Sequence, residues 1–173
     1  IYREYYTYHY DSAMVYVNRG LSLSESENNA YYTTLNKINR AAVLSTGGFY
    51  SQSEELLEDI KKKGVPKQLK QYYYYTRTWL YNYWEAFSNK SEFMDYYHKK
   101  KFENLKLTVE VTSSKDVALH AYLSGELAFL TNPMSKAVLQ FYTKALMNSR
   151  VDSRMHASAA YCIARYYREL GDT

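Results

Sequence analysis

Apolar side chains recur three and four residues apart along most of the chain, which is the spacing of one face of an α-helix. Short stretches that contain Gly, Pro, Asn or Ser separate nine segments of this kind, and such residues begin or end helices. Only residues 106–112 alternate as a strand does. Because this piece is short, we interpret it as a helix end followed by a connector. The pattern therefore predicts an all-α protein.

Capping and stop signals set the predicted bounds of the nine helices. Gly47 and Gly48 end one helix and Gly171 ends the last, whereas Pro66 and Pro133 break the chain between helices. The predicted helices cover about residues 1–10, 11–27, 30–45, 51–63, 67–88, 91–105, 113–130, 135–148 and 152–171. The candidate N-caps are Asp11, Ser51 or Ser53, Ser113 or Ser114 with Asp116, Ser135, and Asp152 or Ser153.

Three of the predicted helices end with the same pattern, a small residue followed by an apolar residue and then a stop. The small residue lets two helix backbones approach, and the apolar residue fills the adjoining groove. A helix with such a stripe needs similar neighbours to bury it, so the pattern predicts a repeat protein. The three sets are Ala41, Leu44 and Gly48; Gly125, Ala128 and Asn132, with Asn132 as a left-handed residue; and Ala164, Tyr167 and Gly171.

At this point the chain resembles the tetratricopeptide repeat (TPR) family. The resemblance rests on ARYYRELGD at residues 164–172, on Gly125 with KAVLQFYTKAL at residues 136–146, and on the series of Ala41, Gly48 and Ser53. It implies an α-solenoid of antiparallel helix pairs in a right-handed superhelix. We expect one domain over residues 1–173, cut from a longer chain. Its approximate units are residues 1–29, 30–64, 66–112 (centred on Tyr81), 113–149 and an incomplete 152–173.

Several segments along the chain carry a second and more specific resemblance. The chain is similar in these segments to a group of Bacteroidetes regulators. The segments are DSAMVYVNRGLSLSE, a long Tyr-rich helix, DYYHKKKFENL and SAAYCIARYYRELGD. In those proteins an exported TPR-type sensor precedes a membrane helix and a cytoplasmic regulatory or DNA-binding part. The resemblance implies the sensory or scaffolding part of a regulator, on the periplasmic side of a membrane-tethered protein. A cytoplasmic adaptor is the alternative location.

Composition narrows the class of protein. An apolar content of 46%, with two prolines and six glycines, is typical of a folded globular chain. The net charge of +4 is mild, and it comes partly from lysine clusters at residues 61–63 and 99–101 that we place at helix ends. Cys162 is the single cysteine, so the chain forms no internal disulfide and no thiolate metal site. No apolar run reaches the length of a membrane span.

The sequence shows no catalytic motif. His9, His98, His120 and His156 lack both the HExxH pattern and a pairing at helical spacing. Gly47 and Gly48 follow a helix and precede no Lys-Ser/Thr, so they form no phosphate-binding loop, and no Gly-x-Ser-x-Gly elbow occurs. We therefore predict a non-enzymatic protein without cofactor or metal.

The TPR resemblance implies where a ligand binds. In TPR proteins the first helix of each pair lines a concave groove, and the residue after the small packing residue faces it. A clamp for a peptide carboxylate presents Lys, Asn and Arg there, whereas this chain has Ile38, Ala42, Thr78 and Glu126. We expect a protein or peptide ligand instead, although an ordinary solvated face fits the same residues. The candidate groove residues are Thr78, Asn82, Glu85, Tyr122, Glu126, Tyr161, Arg165 and Arg168.

Tyrosine is abundant, with 22 residues that include the run Tyr72 to Tyr75. Aromatic side chains between basic residues stack on single-stranded bases, so a nucleic-acid-binding helical repeat is the alternative function. The basic residues cluster at helix ends, which favours tyrosines that pack between helices and at contact surfaces. We expect Tyr73, Leu80, Trp84 and Phe87 to form the buried stripe of the long fifth helix. A homodimer stays open.

Overall fold

The structure, a computed structural model, describes residues 9–88 and 91–171. These residues form eight α-helices and one 3₁₀-helix and contain no strand, which confirms the predicted all-α class. Residues 1–8, which carry most of the first predicted helix, lie outside the described part. The helices are α1 (Tyr10–Ser26), α2 (Ala30–Thr46), α3 (Tyr50–Lys63), a 3₁₀-helix (Lys67–Leu69), α4 (Lys70–Phe87), α5 (Met94–Val111), α6 (Val117–Thr131), α7 (Lys136–Met147) and α8 (Arg154–Leu170).

Side-chain caps begin four of the described helices. Asp116 Oδ1 accepts a hydrogen bond from the Leu119 amide at 3.2 Å, and the Ser135 and Ser153 hydroxyls begin α7 and α8 in the same way. Each cap satisfies an amide that has no partner inside its helix. The caps predicted at Ser135 and Ser153 are confirmed. Of the residues predicted to begin α6, Asp116 caps it, whereas Ser113 and Ser114 precede the helix. Asn29, which the sequence analysis did not identify, caps α2.

Two predicted caps are wrong. α1 begins at Tyr10, one residue before Asp11, and α3 begins at Tyr50 with Phe49 as its N-cap. The Ser53 hydroxyl is fully buried and donates to the carbonyl oxygen of Ala41 on α2 at 2.8 Å. Ser53 therefore joins two helices and does not cap its own.

The stops at glycine and at Asn132 are confirmed, but the left-handed conformation predicted for Asn132 is wrong. Gly48 and Gly171 have φ angles of 84° and 78°, a left-handed conformation that glycine adopts without a steric penalty. Asn132 instead has φ −154° and ψ 94°. It ends α6 in an extended conformation, and Pro133 follows directly.

The interpretation of residues 106–112 as a connector is also wrong, because α5 runs without a break to Val111. Its buried residues include Asn104, Leu105 and Thr108, and Thr112 directly after the helix is also buried, so burial follows the helical spacing. The β-branched residues between them produce the apparent alternation. The other end is shorter than predicted, since residues 91–93 form a bend and a turn before the helix.

The chain divides into two compact units, Ile1–Asn104 and Leu105–Thr173. In the first, α2 packs against α1, α3 and α4, and α3 also contacts α4. Tyr73 and Leu80 of α4 are buried as predicted, whereas Trp84 is half-buried and Phe87 is 77% exposed. The core cluster consists of Ile38, Ala41, Leu57, Ile60, Leu69, Tyr73 and Leu80.

In the second unit α6 packs against α7 and α7 against α8. α8 turns Ala159, Cys162 and Tyr166 inward. Ala164 and Tyr167, which the repeat pattern placed at packing positions, are exposed here. The division of residues 1–173 into five repeat units stays a prediction. Within the described helices, none is both long and apolar enough to span a bilayer.

Candidate recognition surface

The predicted groove residues lie on three helices. α4 of the first unit carries Thr78, Asn82 and Glu85, and α6 and α8 of the second unit carry the other five. Thr78 is buried, and its hydroxyl donates to the carbonyl oxygen of Tyr74 at 3.0 Å. Asn82 is half-buried.

Glu85 holds α4 and α5 together. One carboxylate oxygen lies 2.8 Å from Nδ1 of His98, and the other lies 2.5 Å from Nζ of Lys101. Burial by itself raises the pKa of Glu85, but hydrogen bonds from Lys101 and His98 outweigh it and lower the pKa. The Glu85 carboxylate is thus ionised and engaged within its own unit.

An aromatic row that the sequence analysis missed lies on the outer side of α4. Tyr75, Trp79 and Tyr83 are spaced four residues apart, and neighbouring rings contact each other at centroid distances of 6.2 and 5.6 Å. Trp79 is 37% exposed, and both tyrosines are half-buried. The four-residue spacing of these aromatic residues is present in the sequence. It does not distinguish the row, because α4 carries aromatic residues on all of its faces.

The opposite side of α4 holds a buried polar network centred on Arg77. Its guanidinium donates to Glu58 and to the hydroxyls of Tyr73 and Tyr81, the last at 3.0 Å. The Tyr81 hydroxyl donates to Glu54 on α3 at 2.5 Å. Every charge has a partner, so this network fixes α3 against α4 and offers no group to a ligand.

A second polar network brings two predicted groove residues together in the second unit. Oε1 of Glu126 accepts hydrogen bonds from Tyr142 at 2.6 Å and from Arg165 at 2.8 Å. The Cys162 sulfur lies 3.3 Å from the same oxygen. Arg165 also lies over the Phe129 ring, 4.0 Å from its centroid. Glu126 and Arg165 therefore neutralise each other.

Cys162 is not a nucleophile in this setting. Burial, with the nearby Glu126 carboxylate, raises the pKa of the Cys162 thiol to about 12. The thiol is protonated at neutral pH, and only the thiolate is reactive. Among the described residues, no three His, Cys, Asp or Glu side chains converge as metal ligands.

The other predicted residues of the second unit differ in exposure. Tyr122 is buried, with its ring 6.3 Å from that of Tyr142. Tyr161 is 63% exposed, and Arg168 is exposed with Glu169 at 3.7 Å. α8 thus presents Tyr161 and Arg168 outward, while Tyr122, Glu126 and Arg165 hold the helices together.

An open hollow of about 400 Å³ lies between α6 and α7. Leu127, Ala128 and Phe141 make its surface mostly apolar, and the other lining residues are polar, among them Ser124 and Ser135. None of the predicted groove residues lines it. It contains no titratable group, so it offers no site for chemistry.

Comparison with known proteins identifies the family. The family model for the SusR N-terminal TPR domain matches residues 1–173. The chain belongs to this family. The likeness to TPR proteins and to Bacteroidetes regulators is thereby confirmed, and the fold is an α-solenoid of helix pairs. TPR domains are helical-repeat modules for protein interaction and are generally non-catalytic. No curated protein and no solved structure matches the chain.

Proposed function

We propose that this TPR domain binds a protein or peptide partner and is the sensory or scaffolding part of a larger bacterial regulator. The aromatic row of Tyr75, Trp79 and Tyr83 carries the proposal, because Trp and Tyr supply much of the binding energy at protein interfaces. The rings contact each other before any partner arrives. Little side-chain entropy is then lost on binding.

Asn82 gives this surface its polar group. It follows Trp79 by three positions on α4, so both side chains lie on neighbouring parts of one helix face. An amide both donates and accepts hydrogen bonds, which suits the backbone of a bound peptide. Of the three groove residues predicted on α4, Asn82 is therefore the one that we retain as a ligand contact.

The charge of this face favours protein over nucleic acid as the ligand. From Tyr75 to Phe87 the only cationic side chain of α4 is Arg77, which is buried and bonded to Glu58. Binding of nucleic acid depends mainly on Lys and Arg contacts to phosphates. The aromatic row has none beside it on its own helix, which counts against the alternative of base stacking.

A second contact region is proposed in the other unit, at Tyr161 and Arg168 of α8. Both side chains are exposed and lie seven positions apart on one face of α8, and Tyr and Arg are both enriched at interfaces. The regulator would pass on the bound state through a change of solenoid curvature or through dimerisation. A periplasmic location is part of the proposal, with a cytoplasmic adaptor as its alternative.

Site-specific photo-cross-linking tests the proposal in the intact regulator. Benzoylphenylalanine replaces Asn82 in one variant and Lys62, an exposed residue of α3, in a control. We expect a discrete protein adduct from position 82 only, and we expect Trp79→Ala to reduce it. The absence of a protein adduct at position 82 under conditions in which the regulator responds, or equal adducts at both positions, would overturn the proposal.

A further inference from the structure

A second aromatic cluster lies where α3 begins and α4 ends. The Tyr50 ring stacks on Trp84 at 5.7 Å and packs against Phe87 at 5.6 Å. Trp84 in turn stacks on Tyr97 of α5 at 4.5 Å. We call these four residues the platform. Its rings come from three helices, so its shape is set by the packing of the unit.

The platform is open to solvent at Phe87, which is 77% exposed. The ring of Phe87 contacts Tyr50 in a tilted arrangement. Phe93, in the turn before α5, and Met94, the first residue of α5, are 55% and 37% exposed. This turn directly follows the end of α4, since the Ser91 amide donates to the Ser88 carbonyl oxygen at 2.9 Å. Contiguous exposed apolar patches are uncommon on a monomer, and an exposed ring in contact with another ring, as Phe87 is with Tyr50, marks an interaction surface.

Acidic side chains accompany these rings. Glu54 on α3 binds the Tyr81 hydroxyl and lies near enough to Tyr97 to contribute to the raised pKa of that phenol, for which burial is the larger cause. Glu92 and Asp95 are exposed and flank Phe93 and Met94 in sequence.

Basic side chains occur in α5 from about one turn after its start. His98 and Lys101 bind Glu85, and Lys100 lies over the Tyr96 ring, 5.5 Å from its centroid. Lys99 is exposed. The turn after α4 and the first residues of α5 therefore carry the exposed carboxylates of Glu92 and Asp95, and the basic side chains of α5 begin one turn later.

We propose that the platform binds a basic segment of a partner protein, with an Arg or Lys side chain against Phe87 and Tyr50 and an apolar residue beside it. Aromatic faces attract cations, and the carboxylates of Glu92 and Asp95 attract the same charge. The aliphatic stem of Arg or Lys packs on apolar surface while its head stays wet. An anionic membrane fits poorly, because the carboxylates repel it.

This inference rests on the proposed function, since it names a surface and a partner chemistry for the same domain. It does not depend on the aromatic row of α4. Trp79 and Phe87 belong to different clusters of ring contacts, so the two surfaces are tested by different variants.

Isothermal titration of the unaltered chain with two synthetic peptides of equal length tests it. One peptide alternates Leu with Arg, and the other alternates Leu with Glu. We expect the Arg peptide to bind, with an affinity that falls as salt rises, and the Glu peptide not to bind. Phe87→Ala should weaken binding about tenfold, and the double variant Glu92→Gln with Asp95→Asn should weaken it about threefold to tenfold.

The control is Met147→Ala, at an exposed position of α7 in the other unit, which should leave the affinity unchanged. Equal binding of the Glu peptide, or unchanged affinity in Phe87→Ala, would overturn the proposal. So would Phe87-dependent self-association in sedimentation without peptide, or Phe87-dependent binding to vesicles of anionic lipid. If the Arg peptide does not bind but cross-links at position 82 still form, the platform proposal is wrong and the proposed function is unaffected.

Discussion

Gly125 of α6 lies directly against the ring of Tyr142 of α7. A Cβ atom at position 125 would lie 2.6 Å from Cε1 of that ring and 2.7 Å from Cδ1. Tyr142 is fully buried, and its hydroxyl donates to Glu126. The absent side chain therefore lets the two helices approach, as the repeat pattern predicted for this small residue.

Gly125→Ala should destabilise the protein, although alanine favours helix more than glycine does. Overpacking of a core costs about 1–3 kcal/mol, whereas the gain in helix propensity is about 1 kcal/mol. The Tyr142 ring is fully buried and its hydroxyl is hydrogen-bonded to Glu126 and Arg165, so a shift of the ring would disturb these contacts. We expect a lower midpoint in urea denaturation followed by circular dichroism.

Gly20→Ala is the matched control for that variant. An added Cβ would meet Oδ1 of Asn36 at 2.9 Å, and this atom is the end of a side chain that can shift. Stability should stay within about 0.5 kcal/mol of the parent or rise slightly. Equal losses in both variants would contradict the account of Gly125.

Glu126→Ala should cost about 2 kcal/mol or more, because the change leaves the Tyr142 hydroxyl and the Arg165 guanidinium without their shared acceptor. Glu126→Gln keeps an acceptor and should cost less. Thermal unfolding of the purified chain measures both. Asp152→Ala, which removes the exposed ion pair with Arg150, should cause no measurable change. A Glu126→Ala variant as stable as the parent would show that the network is not formed.

Alkaline pH should unfold the protein through its buried tyrosines. Burial raises the pKa values of Tyr73, Tyr81 and Tyr142 above the ordinary value. A pKa that is raised in the folded state gives stability that is complete below the ordinary value, about pH 10, and is lost as pH rises through the folded value. Ultraviolet titration should therefore show a late group of tyrosines that ionise together with unfolding.

Cys162 also lowers the stability of the fold at alkaline pH, and its effect begins at a lower pH than that of the tyrosines. The reason is that the pKa of its thiol is raised to about 12 from an ordinary value of 9.0. Tyr142→Phe should make the late group of tyrosines smaller. A single early titration of all tyrosines, with the helical signal unchanged, would contradict these assignments.

Removal of a serine hydroxyl should lower the stability of the protein only at a position where the structure shows that hydroxyl capping a helix. Ser153→Ala deletes the acceptor for the His156 amide and should cost about 1 kcal/mol. Ser51 is a predicted cap that lies inside α3 and is exposed. Ser51→Ala should therefore be neutral or slightly stabilising. Chemical denaturation of the two variants side by side gives the comparison, and equal losses would contradict the observed start of α3.

Local signals were enough to predict most of the fold. Ser135, Ser153 and Asp116 were identified because a cap acts within three residues, and Gly48 and Gly171 because a left-handed stop depends on the residue itself. Ser53 was assigned to the wrong role because its partner, the Ala41 carbonyl group, belongs to another helix.

The surface was harder to predict than the fold. Aromatic residues occur on every side of α4, so periodicity did not show that Phe87 is exposed or that Trp79 joins Tyr75 and Tyr83 in an outer row. Glu85 was predicted from its position alone, and its engagement with His98 and Lys101 depends on α5. The exposure of a side chain depends on which other helices pack against it, and the sequence of a single helix does not specify those neighbours.

The most direct test of the central claim is calorimetry with the partner recovered by cross-linking at position 82. The purified chain should bind it in a defined ratio, Trp79→Ala should lower the affinity about tenfold or more, and Lys62→Ala should leave the affinity unchanged. The account is contradicted if the partner binds equally to the Trp79→Ala variant. It is also contradicted if the chain binds nucleic acid instead, with an affinity that collapses as salt rises.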